Sequence, residues 1–289
     1  MERKLEGTSE GITIFLPDEV LEIFNVIKEY GAESYIVGGS VRDSILGRPV
    51  HDYDICTPVP VLELESFFEE KGYTVIPTGL QHGTITVMVN SIGYEITTYR
   101  KDGKYSDGRH PDTVEFTSDL VEDLSRRDFT INAMAYNDEE GLIDPFNGME
   151  DIKYKKISCV GCAEDRFGED ALRILRAIRF AAQLEFTIMP GTDREIHKQY
   201  KNLEDISIER INSEFCKIAS SDDFCVELLL YKDVFSLFIP ELKDMFDFSQ
   251  NNPWHIWDVF GHTIHAIEYC DSDDLVVRLA VFFHDFGND

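Results

Sequence analysis

Short apolar runs alternate with turn residues through the first third of the chain, and from about residue 164 onward apolar residues recur almost wholly at helical spacing. A strand repeats its side-chain direction every second residue and a helix every 3.6, so one packing scheme cannot serve both stretches. The chain is therefore expected to be α+β, with a mixed sheet and packed helices in a first domain, residues 1–152, and an all-α region after it. A length of 289 residues points the same way, because a single core rarely exceeds about 200 residues.

In the first domain a helix is expected over 17–30, closed by Gly31, then a buried strand over 35–37. A Gly38-Gly39-Ser40 turn leads into a helix over 41–46. Further strands are expected over 53–56, 84–89, 95–99 and 113–116, with a helix over 61–71 between the first two. Residues 100–111 form a polar loop rich in charge and glycine. Beyond the turn at Asp144-Pro145-Phe146-Asn147-Gly148, helical stripes fill 206–219, 226–230, 254–270 and 275–284.

Composition removes several classes. Hydrophobic content of 43% and charged content of 28% are those of a folded globular chain. Residues 73–94 lack Asp, Glu, Lys and Arg, but Pro77, Gly79, Gln81, His82 and Asn90 interrupt them, so no membrane span is expected. The charged first ten residues carry no apolar signal core, and the expected location is the cytoplasm. Six scattered cysteines imply reduced thiols; Cys159 and Cys162 form a lone pair of the CxxC type with no partner set for zinc.

The net charge of −28 argues against a general grip on polynucleotides. The charge is uneven, however. Residues 100–179 hold 13 Lys and Arg against 18 Asp and Glu, while the rest of the chain holds 14 against 37. A local basic site for phosphate fits inside such an acidic chain.

Two motifs carry chemistry. Gly38-Gly39-Ser40 between a strand and a helix offers free amides to a phosphate, with Arg42 beside it. Asp52 and Asp54 alternate on a short strand and so share one face. Paired carboxylates of this kind suit Mg²⁺ together with substrate phosphates; the alternative is a solvated edge strand.

These motifs, with Arg126-Arg127-Asp128-Phe129-Thr130-Ile131-Asn132-Ala133 and Glu169-Asp170-Ala171-Leu172-Arg173, resemble those of bacterial class II CCA-adding tRNA nucleotidyltransferases and poly(A) polymerases, in the polymerase-beta-like superfamily. The resemblance implies a nucleotidyltransferase head over 1–152, a helical neck over 153–240 and a partial HD-like segment over 241–289. It implies Asp52 and Asp54 as metal ligands and catalytic residues, with Glu95 as a third carboxylate. Nucleotide contacts would come from Gly38, Gly39, Ser40, Arg42, Arg109, Arg126, Arg127, Asp128 and Asn132. Asp170 and Arg173 would read the base edge, Arg176 and Arg179 would continue the basic stripe, and Glu209-Arg210 to Glu214 would brace that helix.

The implied activity is addition of CMP and AMP from CTP and ATP to the tRNA 3′ end. Alternatives are poly(A) polymerase, A-only addition, or an RNA- or nucleotide-binding module that needs a partner. His255, His262, His265 and the pair His284-Asp285 are similar to the ligand signature of HD phosphohydrolases, whose further Asp is missing here. The sequence leaves the oligomeric state open.

Overall fold

The structure, a computed structural model, describes residues 8–9, 12–103, 105, 113–246, 248 and 257–286. Arg109, His110 and His255 lie outside the described residues. The chain divides into two compact units, Met1–Tyr154 with Ser158–Cys162, and Lys155–Ile157 with Ala163–Asp289.

In the first unit the elements run β1 (Thr8–Ser9), α1 (Asp18–Tyr30), β2 (Tyr35–Val37), α2 (Gly39–Ile45), β3 (Asp54–Thr57), α3 (Val61–Glu70), β4 (Thr74–Gly79), β5 (Thr84–Val89), β6 (Ile92–Thr98), β7 (Arg100–Asp102), β8 (Val114–Phe116), α4 (Leu120–Ser125), β9 (Ala135–Asn137), β10 (Gly141–Ile143) and α5 (Gly148–Lys153). Eight strands form one sheet in the order β1-β10-β9-β2-β3-β6-β5-β4, and β7 pairs with β8 as a separate hairpin. The sheet is mixed, since β3 and β6 are parallel while β2–β3 and β5–β6 are antiparallel.

Local chemistry explains the strands that position the site. β2 is buried along its whole length, as an interior strand flanked by β3 and β9 must be. β5 alternates, burying Ile85, Val87 and Val89 on one face. Asn90 and Ser91, both with positive φ, make the tight turn into β6, the backbone that a right-twisted hairpin needs. α1 buries Val20, Ile23, Phe24, Val26 and Ile27 and ends where Gly31 takes a left-handed φ of 99°.

Five strands of this unit were not expected from the pattern, β1, β4, β7, β9 and β10, and β7 takes up the start of the stretch expected as a polar loop over 100–111 because it pairs with β8. β4 lies at the sheet edge with most residues exposed, so it shows no alternation. β9 and β10 have three residues each, too few to display a period.

The second unit contains β11 (Lys156–Ile157), α6 (Ala163–Glu169), α7 (Leu172–Leu184), β12 (Thr187–Ile188), α8 (Pro190–Gln199), α9 (Ile208–Ala219), α10 (Phe224–Leu230), α11 (Lys232–Phe238), α12 (Leu242–Met245), α13 (Val259–Glu268) and α14 (Leu275–Phe283). Among the described residues its strands are limited to the parallel pair β11–β12. Phe215 packs edge-on against Phe224, Phe235 and Phe238 and tilts against Phe282, which makes an aromatic centre for α9, α10, α11 and α14. Buried Arg278 donates to the carbonyls of Ala219 and Ser221, each at 2.6 Å, and so satisfies the end of α9. No helix among the described residues is long and apolar enough to cross a membrane. None of the six cysteines is in a disulfide.

Glu227 in α10 is a buried carboxyl whose Oε2 has no hydrogen-bond partner. Burial, with Asp223 and Asp193 adding repulsion, pushes its pKa from 4.5 up to about 8. Because the folded value lies above the unfolded one, ionisation favours the unfolded chain as pH rises from about 4.5 to about 8, and the penalty then levels off. Glu227→Gln is expected to raise the melting temperature at pH 8 and leave it unchanged at pH 4.5. Equal effects at both pH values would show that the carboxyl is not held neutral.

Candidate active site

Strand register assembles the carboxylates of the first unit. Ile55 of β3 pairs in parallel with Ile96 of β6, so the preceding residues, Asp54 and Glu95, stand side by side on one face. Asp52, two residues before Asp54, is exposed at the entry to β3. Asp54 and Glu95 open onto a cavity of about 170 Å³ whose lining includes Thr97, Arg100, Asp123, Arg126 and Arg127.

The like charges are felt. Burial pushes the Asp54 carboxyl above its usual range; Arg127 pulls it back and Asp52 pushes it up again. Burial also raises Glu95, with Asp54 and then Asp52 adding to the shift. A set of hard oxygen donors that repel one another in a partly desolvated cleft fits a divalent cation, which would offset that repulsion.

Gly38 joins β2 to α2 with φ 73° and ψ −128°, a conformation open to glycine. A Cβ there would stand 2.9 Å from Arg127 Nη1. The helix begins at Gly39, two residues before its expected start, because the turn already carries helical hydrogen bonding from Arg42 N to Gly38 O. Gly38→Ala is expected to cost about 1–3 kcal/mol of stability from backbone strain and to displace Arg127. Thermal melting together with nucleotide affinity checks this, and a parent-like result in both would show that the turn tolerates a side chain.

The basic motif is internally wired. Arg42 donates to Asp43 at 2.9 Å through both Nε and Nη2, and to Asn132 Oδ1 at 2.6 Å. Asn132 in turn donates to Asp128 Oδ1 at 3.0 Å. Arg42, Asp128 and Asn132 are all buried, so this relay spans from α2 to the short helical turn Thr130–Asn132. Ser40 donates to the Val37 carbonyl at 3.0 Å. Asp123, not singled out from the sequence, gathers Arg126 and Arg127. Its spacing to them, three and four residues along a helix, is the signal that would have found it.

In the second unit, Asp170 stands just ahead of the 13-residue helix α7, close to where a helix is expected to open. α6 ends at Glu169 and α7 starts at Leu172, with Asp170 in the break. Its Oδ1 accepts from Leu172 N at 3.0 Å, and its Oδ2 accepts from Arg210 of α9 at 2.8 Å. The Arg173 side chain pairs with Glu169 and donates to the Arg166 carbonyl, so the Asp170 and Arg173 side chains are held by separate partners, while the Arg173 amide donates to the Asp170 carbonyl at 3.0 Å. Arg179 is buried against Glu214 at 3.2 Å, and the Arg176 guanidinium lies 5.5 Å from the Phe180 ring. Arg210 and Glu214 thus brace the base-motif region from α9.

Near the end of the chain, His262 Nε2 and His284 Nε2 lie 3.6 and 3.1 Å from Asp285 Oδ2. These are the described residues whose metal-type ligand atoms, three in number, all lie within 4.8 Å of one another. His265 instead meets Glu268.

Comparison with known proteins agrees with the head geometry. Residues 34–158 match the poly A polymerase head domain, and residues 185–246 match the probable RNA and SrmB-binding site of polymerase A. A solved tRNA nucleotidyltransferase, complexed with a primer tRNA and an incoming ATP analog, is 30% identical with a TM-score of 0.68, over 91% of this chain and 75% of that one. The chain belongs to the tRNA nucleotidyltransferase and poly(A) polymerase family. The CCA-adding enzyme of Latilactobacillus sakei subsp. sakei (strain 23K) is 46% identical over 209 residues, 72% of this chain and 52% of that protein. The Bacillus stearothermophilus CCA-adding enzyme in complex with CTP is 40% identical with a TM-score of 0.66, over 73% of this chain and 50% of that one. The chain spans about half the length of these two relatives.

Proposed function

We propose that this nucleotidyltransferase-family chain adds CMP and AMP, from CTP and ATP, to the 3′ end of tRNA without a nucleic-acid template. The observation that carries the proposal is the pairing of Asp54 with Glu95 over a cavity that also presents Arg126 and Arg127. Carboxylates beside guanidiniums are what phosphoryl transfer from a nucleoside triphosphate needs. Likeness to CCA-adding enzymes supports the choice of substrate.

In this reading residues 1–152 are the catalytic head, 153–240 the neck and 241–289 an HD-like helical segment, working in the cytoplasm. Asp52 and Asp54 hold Mg²⁺, and Glu95 supports them. The chemistry such an ion would supply there is acidification of the primer 3′-hydroxyl and neutralisation of charge on the leaving pyrophosphate. A bond forms between the 3′-oxygen and the α-phosphorus as the bond from that phosphorus to the bridging β-oxygen breaks.

Gly39 and Ser40 place backbone amides toward phosphate, the Gly38 amide being bonded to the Met134 carbonyl at 3.3 Å, while Arg126 and Arg127 supply donors with fixed fork geometry. Asp128 and Asn132 orient the ribose, with Arg42 locking Asn132 in place. Arg109 belongs to the loop proposed to adjust between CTP and ATP. Asp170 and Arg173 read the base edge, with Arg176 and Arg179 supporting their helix.

The test is incubation of the full chain with tRNAs ending before CCA, after C and after CC, each with CTP, ATP, GTP or UTP and Mg²⁺. Stepwise products that stop at CCA support the proposal. Runs of A on every primer point to poly(A) synthesis, a single A only on the CC primer points to A-only addition, and no extension overturns all three.

A further inference from the structure

We propose that Asp123 is a positioning residue which sets the donor geometry of Arg126 and Arg127 for the triphosphate of the incoming nucleotide. The inference rests on the transfer reading above and deepens it, since neither the motif pattern nor the expected contacts include this carboxylate.

Asp123 sits on α4, with a side chain 1% exposed. Its Oδ1 accepts from Arg126 Nε at 3.0 Å, from Arg126 Nη2 at 2.8 Å and from Arg100 N at 3.2 Å. Its Oδ2 lies 3.4 Å from Arg127 Nη2. Burial opposes ionisation, yet Arg126 and Arg127 outweigh it and hold the carboxyl below its usual range. A buried charge with this many donors is stable only while they stay in place, so the orientation of each guanidinium is fixed by the same atom pair.

What the Arg127 guanidinium leaves unused points to a ligand. Arg127 Nε is buried with no hydrogen-bond partner, and Arg127 Nη1 stands against the Gly38 turn. A buried N–H without an acceptor is costly, and a phosphate oxygen entering the cavity would satisfy it. Asp102 lies 3.7 Å from Arg126 Nη1 and 3.3 Å from Arg100 Nε, which ties the β7 end of the hairpin into the same cluster. Three guanidiniums, of Arg100, Arg126 and Arg127, therefore share the carboxylates of Asp102 and Asp123 beside Asp54 and Glu95.

The charge arithmetic separates positioning from mere neutralisation. Asp123→Asn makes the cluster one unit more positive, so simple charge balance predicts tighter binding of inorganic triphosphate. Positioning predicts weaker binding. In the full chain, the dissociation constant of inorganic triphosphate is expected to rise about tenfold, the loss of one charge-assisted interaction. KM for CTP and ATP should rise by the same factor, with the CTP-to-ATP preference unchanged. Arg126→Lys keeps the charge, loses the fork on Asp123 and serves as a second variant should Asp123→Asn not fold. It should show the same rise. The double variant should lose little more than either single one, because both changes break one contact.

Triphosphate affinity equal to or above the parent's in either folded variant would overturn the proposal, as would fully additive losses. A parent chain that binds triphosphate yet transfers no nucleotide would instead sink the transfer reading, and the binding comparison would still decide the role of Asp123.

Discussion

Asp54→Ala is expected to lower nucleotide transfer by a factor on the order of 10³ or more, with no loss of thermal stability. The two halves of this expectation have one cause. Burial raises the proton affinity of both Asp54 and Glu95; Asp54, which β3 and β6 set beside Glu95, adds to the shift there, and Asp52 adds to both. A carboxyl whose folded pKa is raised disfavours the folded state above its ordinary pKa, so deleting it relieves strain. Function is thus the reason to keep it. Asp52→Ala should lose activity in the same way, since its side chain is exposed before the strand begins. Primer extension near the parent's rate by either folded variant would remove these carboxylates from the chemistry. A melting temperature several degrees lower would show that they brace the sheet instead.

The same electrostatics explains why part of the site was legible in the sequence. The spacing of Asp52 and Asp54 is a local property, although β3 begins only at Asp54, so that strand alternation does not extend to Asp52; the glycine turn at Gly38 is local too. The pairing of Asp54 with Glu95 is not local. It depends on a parallel register between strands about forty residues apart, which no period in either strand encodes. Asp123 went unnoticed for a different reason: Glu122-Asp123 looks like ordinary surface acid until α4 turns Asp123 inward under two arginines. The change from strand to helix period was visible because it extends over many residues. Short pieces such as β9 and β10, or the break at Asp170 between α6 and α7, carry too few residues to show a period.

That break alters how base choice should be tested. Had Asp170 stood within a continuous helix, its carboxylate would be free to swing. Instead Leu172 N and Arg210 fix both oxygens, at 3.0 and 2.8 Å, and each oxygen retains a lone pair for a further donor. Arg173 is held apart by Glu169 and the Arg166 carbonyl. An acceptor and a donor so fixed match the exocyclic amine and adjacent ring nitrogen that cytosine and adenine share. Uracil presents a carbonyl and an N–H in their place, setting like groups against each other at about 1–3 kcal/mol for each mismatch.

Asp170→Asn preserves the side-chain shape and an oxygen for Leu172 N, but it replaces an acceptor with an N–H₂ donor. CTP and ATP use should therefore fall by about 10- to 100-fold while UTP use rises relative to both, as measured by kcat/KM on a primer ending after C. Arg173→Ala should depress every nucleotide, because it removes a donor without giving uracil an acceptor. Arg210→Ala should move base preference in the same direction as Asp170→Asn, and less far, since it releases Asp170 without changing its chemistry. If Asp170→Asn leaves the CTP-to-UTP ratio at the parent value, the carboxylate serves only to cap α7 and pair with α9, and the base is read by other residues.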